Sequence, residues 1–113
     1  LTRLHRATGD QKYLDYLDKI YWDAWEFLYD QEDHLFYRAE RFIIKEDGSG
    51  RREPNGKKVF WSRGNGWVLA GLARILNGIP GEHPTRNRYE NLFKEMAHRI
   101  ALLQPKDGLW RPS

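Results

Sequence analysis

Trp61-Ser62-Arg63-Gly64-Asn65-Gly66-Trp67 is the stretch on which the reading of this chain turns. It stands where an extended, aromatic-rich segment, Lys57-Lys58-Val59-Phe60-Trp61, gives way to an apolar stripe at helical spacing: Trp67, Val68, Leu72, Ile75 and Leu76. Two glycines around an asparagine predict a backbone turn at positive φ. That turn falls at the mouth of a helix, where unpaired N–H groups and the helix dipole favour an anion. Arg63 can fork two N–H bonds onto a carboxylate or phosphate, and Trp61 and Trp67 offer flat apolar walls on which a ring can stack. Together these residues describe a pocket for an acidic cyclic ligand such as a uronic acid sugar. The plainer alternative is a tight turn flanked by two core tryptophans. The spacing after Gly66 lacks the G-x-G-x-x-G dinucleotide fingerprint, and no phosphate-binding P-loop is present.

Outward from this stretch the chain reads as helices. A first helix ends near Ala7, with Gly9 suited to its C-terminus and Asp10 to the next N-cap. From Gln11 to Tyr29 the apolar positions Leu14, Leu17, Ile20 or Tyr21, Ala24 and Leu28 keep one helical face, and Asp30-Gln31-Glu32-Asp33 ends it. His34 to Ala39 and Arg41 to Ile44 are short and rich in aromatic and β-branched residues, and a turn-rich run from Glu46 to Gly56 separates them from Lys57–Trp61. These predict a small β-hairpin with an exposed tip carrying Arg51-Arg52 and Lys57-Lys58. Beyond Leu76, Asn77-Gly78-Ile79-Pro80-Gly81 is a stop signal and Thr85 a cap. Tyr89, Leu92, Phe93, Met96, Ile100 and Leu103 then form the core stripe of a last helix, closed by Pro105 and Gly108. The expected fold class is all-α: antiparallel helical hairpins, in a solenoid or a closed toroid, with a small β-hairpin insert. No self-similar 34-residue repeat supports a tetratricopeptide array.

Composition narrows the partners. Of 113 residues, 40% are hydrophobic and 31% charged, which suits a globular core. No apolar run approaches the roughly 20 residues of a membrane-spanning helix, so no membrane partner is expected. Without cysteine there are no disulfides or thiolate metal sites. Residues 1–37 carry four basic against eight acidic side chains, residues 38–63 eight against four, and residues 64–113 seven against four. An anion therefore meets the middle of the chain first. Nucleic acid is not expected, because Glu40, Glu46, Asp47 and Glu53 interrupt the basic run and no nucleic-acid motif accompanies it. His5, His34, His83 and His98 show no metal-ligand spacing, and Asp30, Glu32 and Asp33 read as helix-end caps rather than an acid/base cluster.

The heptad, followed by Val68-Leu69-Ala70-Gly71-Leu72, resembles the W-x-R-G-N-G-W signature of glycoside hydrolase family 105, the unsaturated rhamnogalacturonyl hydrolases, related to the family 88 unsaturated glucuronyl hydrolases. Ala7-Thr8-Gly9-Asp10 with Tyr13-Leu14, Tyr29-Asp30 with Leu35-Phe36-Tyr37, and Asp107-Gly108-Leu109-Trp110 resemble further stretches of that family, so the likeness covers essentially the whole chain. The resemblance implies an (α/α)6 toroid of six helical hairpins with its active site in the central cleft, and therefore an enzyme. Its members remove a 4,5-unsaturated uronyl residue from an acidic oligosaccharide in bacterial breakdown of polysaccharides such as pectin rhamnogalacturonan. An aspartic acid protonates C4, water adds at C5, and the hemiketal opens to release the remaining sugar, with no metal or organic cofactor. Carried onto this sequence, Arg63 holds the uronate carboxylate and Trp67 and Trp61 form the sugar wall, while Gly64, Asn65 and Gly66 set the turn. The catalytic aspartate of the family falls upstream of Leu1, so no catalytic residue is assigned within the chain. Where rhamnogalacturonyl members often have histidine, this chain has Arg38, which either meets a second anionic group or is a solvated strand residue.

Leu1-Thr2-Arg3-Leu4-His5 reads as the middle of an amphipathic helix, so residues 1–113 are expected to be an internal part of one six-hairpin domain whose exposed apolar faces lack their neighbours. The alternative function is a non-catalytic helical toroid that binds acidic glycans or a protein. A toroid with ordinary glycosidase, polysaccharide lyase or epimerase chemistry is a third reading, against which the W-x-R-G-N-G-W match argues.

Overall fold

The computed structural model describes residues 1–112. Four helices form the body: α1 (Thr2–Thr8), α2 (Lys12–Leu28), α3 (Ser62–Gly78) and α4 (Arg86–Leu102). A two-stranded antiparallel ladder, β1 (Tyr29–Asp30) and β2 (Leu35–Phe36), follows α2 directly, with Tyr29 opposite Phe36 and Asp30 opposite Leu35. The all-α class and the helical periods stand. α1 turns into α2 through Gly9, which sits at φ 71° and donates its N–H to the His5 carbonyl at 2.7 Å, as the helix-ending role of glycine requires.

The insert differs from the expected hairpin. The stretch expected to continue as a strand at Arg41–Ile44 opens instead with a single 3-10 turn, Glu40–Phe42, that buries Phe42. Towards the tip one isolated antiparallel bridge joins Arg52 to Lys58. The real ladder is made earlier, where the chain leaves α2. Asp30 Oδ1 accepts the N–H groups of Glu32 and Asp33 at 2.9 Å each, folding the turn between the strands.

The core runs between α2, α3 and α4. Leu14 and Leu17 from α2 meet Leu72 from α3 and Tyr89, Leu92 and Met96 from α4, all buried in one cluster with Tyr29 and Ile79. Several polar groups beneath it are paired, although the buried Tyr21 hydroxyl and Trp22 indole N–H have no hydrogen-bond partner among the described residues. Asp18 of α2 accepts from the hydroxyls of Tyr89 (2.7 Å) and Thr85 (2.9 Å) and faces His83 Nε2 at 2.9 Å. Thr85 holds the N-cap position of α4, but its hydroxyl is spent on Asp18 rather than on the helix N–H groups. Arg86 donates to the carbonyls of Leu76 and Ile79, which closes the C-terminal end of α3. At that end Gly78 leaves room for Thr2, since a Cβ there would lie 2.6 Å from the Thr2 hydroxyl oxygen, so α1 crosses α3 in close contact.

Candidate active-site cleft

The N-terminal turn of α3 sets the site, and its geometry corrects the expected turn. Gly64 and Gly66 are helical and not at positive φ; α3 already begins at Ser62. Gly64 is required for a different reason. A Cβ built on it would lie 2.6 Å from Cε3 of Trp61, so its missing side chain lets the indole pack closely against the helix. Asn65 is buried, and its amide joins three elements. Its Oδ1 accepts the Phe36 N–H at 2.8 Å, and its Nδ2 donates to the carbonyls of Phe36 (3.1 Å) and Trp61 (3.2 Å). β2 is thereby tied to the start of α3. The Ser62 N–H is taken by the Pro112 carbonyl at 3.0 Å, so side chains rather than that helix-end N–H confront a ligand.

Around this turn lies a cleft of about 640 Å³ between α3, the C-terminal end of α4 and the 105–111 segment. Its wall carries Lys58, Arg63, Arg99 and Arg111 with Leu69, Ile100 and Trp110, and among the described residues no carboxylate lines it. A neighbouring cavity of about 220 Å³ is lined by Arg38, Trp61, Gly64 and Asn65 with apolar side chains. The sequence-predicted residues Arg63, Trp61 and Arg38 come together here. The Arg63 guanidinium lies 4.8 Å and that of Arg38 5.1 Å from the centre of the Trp61 indole. Trp67 stands apart: it is 70% exposed, one helical turn beyond Arg63, and borders neither cavity.

The other cleft cations are anchored. Lys58 Nζ lies 2.9 Å from Asp30, 2.7 Å from Glu32 and 3.0 Å from Asp33, in the middle of the three carboxylates. The expected solvated tip residue is thus an internal ion-pair centre, and it holds the position that a metal ion would need among those oxygens. Arg99 pairs with Asp33 at 2.9 Å and Arg111 with Asp107 at 2.6 Å. Burial raises the Asp30 carboxyl, but the Tyr37 hydroxyl, the Lys58 ammonium and the Asp33 N–H outweigh it and hold Asp30 below the usual carboxylate range. Tyr37, buried and donating to Asp30 at 2.6 Å, is pushed up to about 12. Burial, reinforced by its hydrogen bond to Glu95, likewise pushes the Tyr29 phenol up. Among the described residues Arg38 and Arg63 make no ion pair, so they are the cleft's uncompensated charges.

The chain's residues 1–113 match the model of Glycosyl Hydrolase Family 88 throughout. The chain belongs to that family, the relative named beside family 105 in the resemblance. It is 54% identical over 108 residues to an unsaturated 3S-rhamnoglycuronyl hydrolase of Formosa agariphila, covering 96% of this chain and 29% of that protein. To a protein of the same name from an Alteromonas species it is 38% identical, covering 98% and 25%. The chain therefore spans between a quarter and three tenths of these relatives. Among solved structures, a family 88 glycosyl hydrolase from Bacteroides vulgatus superposes with TM-score 0.92 at 33% identity, over 99% of this chain and 31% of that one. A chain named as a polysaccharide lyase superposes equally well, TM-score 0.92 at 36% identity, over 99% and 30%. A Clostridium acetobutylicum family 105 glycoside hydrolase, at TM-score 0.75 and 19% identity, shares the fold. The six-hairpin toroid class read from the sequence stands with these neighbours.

Lys58, Arg99 and Trp110 went unseen as cleft residues in the sequence. Trp110 lay in a quoted segment, Asp107-Gly108-Leu109-Trp110, but nothing local said that it closes over α4, where its indole N–H donates to the Ile100 carbonyl at 3.0 Å.

Proposed function

We propose that these residues are part of a six-hairpin toroid whose whole protein hydrolyses 4,5-unsaturated uronyl oligosaccharides, with Arg63 holding the uronate carboxylate and Trp61 bounding the sugar. The observation that carries this reading is Arg63 itself: among the described residues its guanidinium makes no ion pair and no carboxylate lines the cleft, and it lies 4.8 Å from the centre of the Trp61 indole at the cleft's edge. A planar, conjugated carboxylate matches that fork and that flat surface together. In the reaction, water adds across the C4–C5 double bond, the proton to C4 and the hydroxyl to C5, and the hemiketal at C5 opens to free the adjoining sugar. The names of the relatives support an unsaturated rhamnoglycuronyl substrate.

The structural likeness to a chain named as a polysaccharide lyase favours one rival chemistry, and a single optical readout separates the two. A lyase creates the conjugated double bond and raises ultraviolet absorbance, whereas hydration consumes it. Full-length protein mixed with unsaturated uronyl disaccharides is expected to lower the absorbance. A rise with intact acidic polysaccharide, and no fall with the disaccharides, would overturn the hydrolase reading.

A further inference from the structure

We infer that His34 is a positioning residue, a proton-sensitive clasp that fixes the cation-bearing wall of the cleft to α4. The inference rests on the reading of the cleft given above. Among the described residues His34 is the one non-glycine residue at positive φ, 56°, where glycine or asparagine meets less strain. It closes the turn between β1 and β2, and its N–H donates to the Asp30 carbonyl at 2.8 Å, a bond that any residue but proline can make. What singles out an imidazole is its side-chain contact. Nδ1 lies 2.9 Å from Oε1 of Glu95 on α4 and 3.4 Å from the Tyr29 hydroxyl, which donates to the same carboxylate oxygen. Backbone strain that persists beneath such a contact points to a role for the side chain.

That role follows from the preceding residue. The Asp33 carboxylate pairs with Arg99 at 2.9 Å, and its carbonyl accepts from Arg99 Nε at 3.0 Å. Arg99 stands one helical turn beyond Glu95 on the same face of α4. Two consecutive turn residues therefore grip two stacked helix residues with alternating polarity, Asp33 on Arg99 and His34 on Glu95. Asp33 also lies 3.0 Å from Lys58, and both Lys58 and Arg99 line the cleft that Arg63 lines. The titratable and charged groups around His34 are thus Tyr29 of β1, Asp30 and Asp33 of the turn with Lys58 beyond them, and Glu95 and Arg99 of α4. A protonated imidazole completes the clasp as an ion pair with Glu95. As pH rises through the range in which histidine discharges, that pair falls back to a neutral hydrogen bond. The turn then holds α4 less firmly, and an anionic ligand must order Asp33, Arg99 and Lys58 as it binds.

The test uses full-length protein, one unsaturated uronyl disaccharide, and the variants His34→Gly and His34→Lys, assayed between about pH 5.5 and 8. Glycine suits the backbone at φ 56° and removes the clasp, whereas lysine keeps a charge that does not titrate in this range. At the acid end His34→Gly should raise KM by about 3-fold or more with kcat little changed, the size of effect an exposed ion pair has. The ratio to wild type should shrink towards about 1 at the alkaline end. His34→Lys should restore the wild-type KM at the acid end and hold it as pH rises. A ratio that stays constant across the range, or a His34→Lys that behaves as His34→Gly does, would overturn the inference. Histidine NMR supplies a readout that does not need turnover, with the signal missing from His34→Gly identifying residue 34. Glu95→Gln should move the titration of that signal to lower pH by about half a unit, and an unmoved titration would overturn the clasp. Absence of wild-type turnover alongside a moved titration would uphold the clasp and refute the hydrolase reading, so the two failures are distinguishable.

Discussion

A methyl group on Gly64 would lie 2.6 Å from Cε3 of Trp61, and the indole can give way only by leaving the surface that Arg38 and Arg63 share. Gly64→Ala is therefore expected to cost about 1–3 kcal/mol of stability, as overpacking does. It should also weaken uronyl disaccharide binding, and paired thermal melts and calorimetry would register both effects. The heptad shows how far single residues can be read. Its arginine and tryptophans led to the expectation of a ring-binding anion site, and of these Arg63 and Trp61 lie together in the structure. The Gly-Asn-Gly core was expected to be a turn because two glycines imply positive φ. In the structure Gly64 serves close packing, and Asn65 serves Phe36, 29 residues away. A buried amide that bonds backbone so distant in sequence leaves no local trace.

The ladder β1–β2, the insert and α3 are held together by Lys58, the ammonium among three carboxylates. Lys58→Met should destabilise the protein by about 2 kcal/mol at neutral pH. This is less than for a fully buried pair because Glu32 is largely exposed, but the acids are left to repel one another. The pH dependence has a definite sign. Asp30 is held below its ordinary value of 3.8, so its contribution is fully present above that value and is lost as pH falls through the lowered one. Denaturant titrations should find this part of wild-type stability flat down to about 3.8. In Lys58→Met the folded Asp30 carboxyl rises toward its ordinary value, so this acid-side loss should shrink, and an unchanged acid limb would deny Lys58 its central place. The helices were legible from their 3.6-residue periods, and Leu14, Leu17, Leu72, Tyr89, Leu92 and Met96 lie in the core as those periods predict. The insert was not. Its aromatic, β-branched run suits a strand, yet Phe42 is buried by a 3-10 turn, and Lys58 resembled any tip lysine until folding brought Asp30–Asp33 around it.

As a whole the described chain is a slab of 50 × 36 × 18 Å with a radius of gyration of 15.9 Å, where a compact domain of this length would have about 13 Å. Phe27 (57%), Trp67 (70%) and Leu102 (65%) lie open on it. Apolar surface of this kind calls for cover, which accords with a chain that spans under a third of its relatives. Residues 1–113 produced alone are expected to associate as concentration rises and to unfold without a sharp transition. Sedimentation and thermal melts would show this, and a cooperative monomer would speak against the shared toroid. The claim at the centre of the account is that Arg63 grips the uronate. Its most direct measurement is kcat/KM of the full-length protein on one unsaturated uronyl disaccharide, wild type against Arg63→Ala, with circular dichroism confirming the fold. A loss of about 100-fold or more is predicted, as removal of a charge-assisted fork from a reacting group implies. Wild-type turnover that Arg63→Ala leaves undiminished would contradict the account.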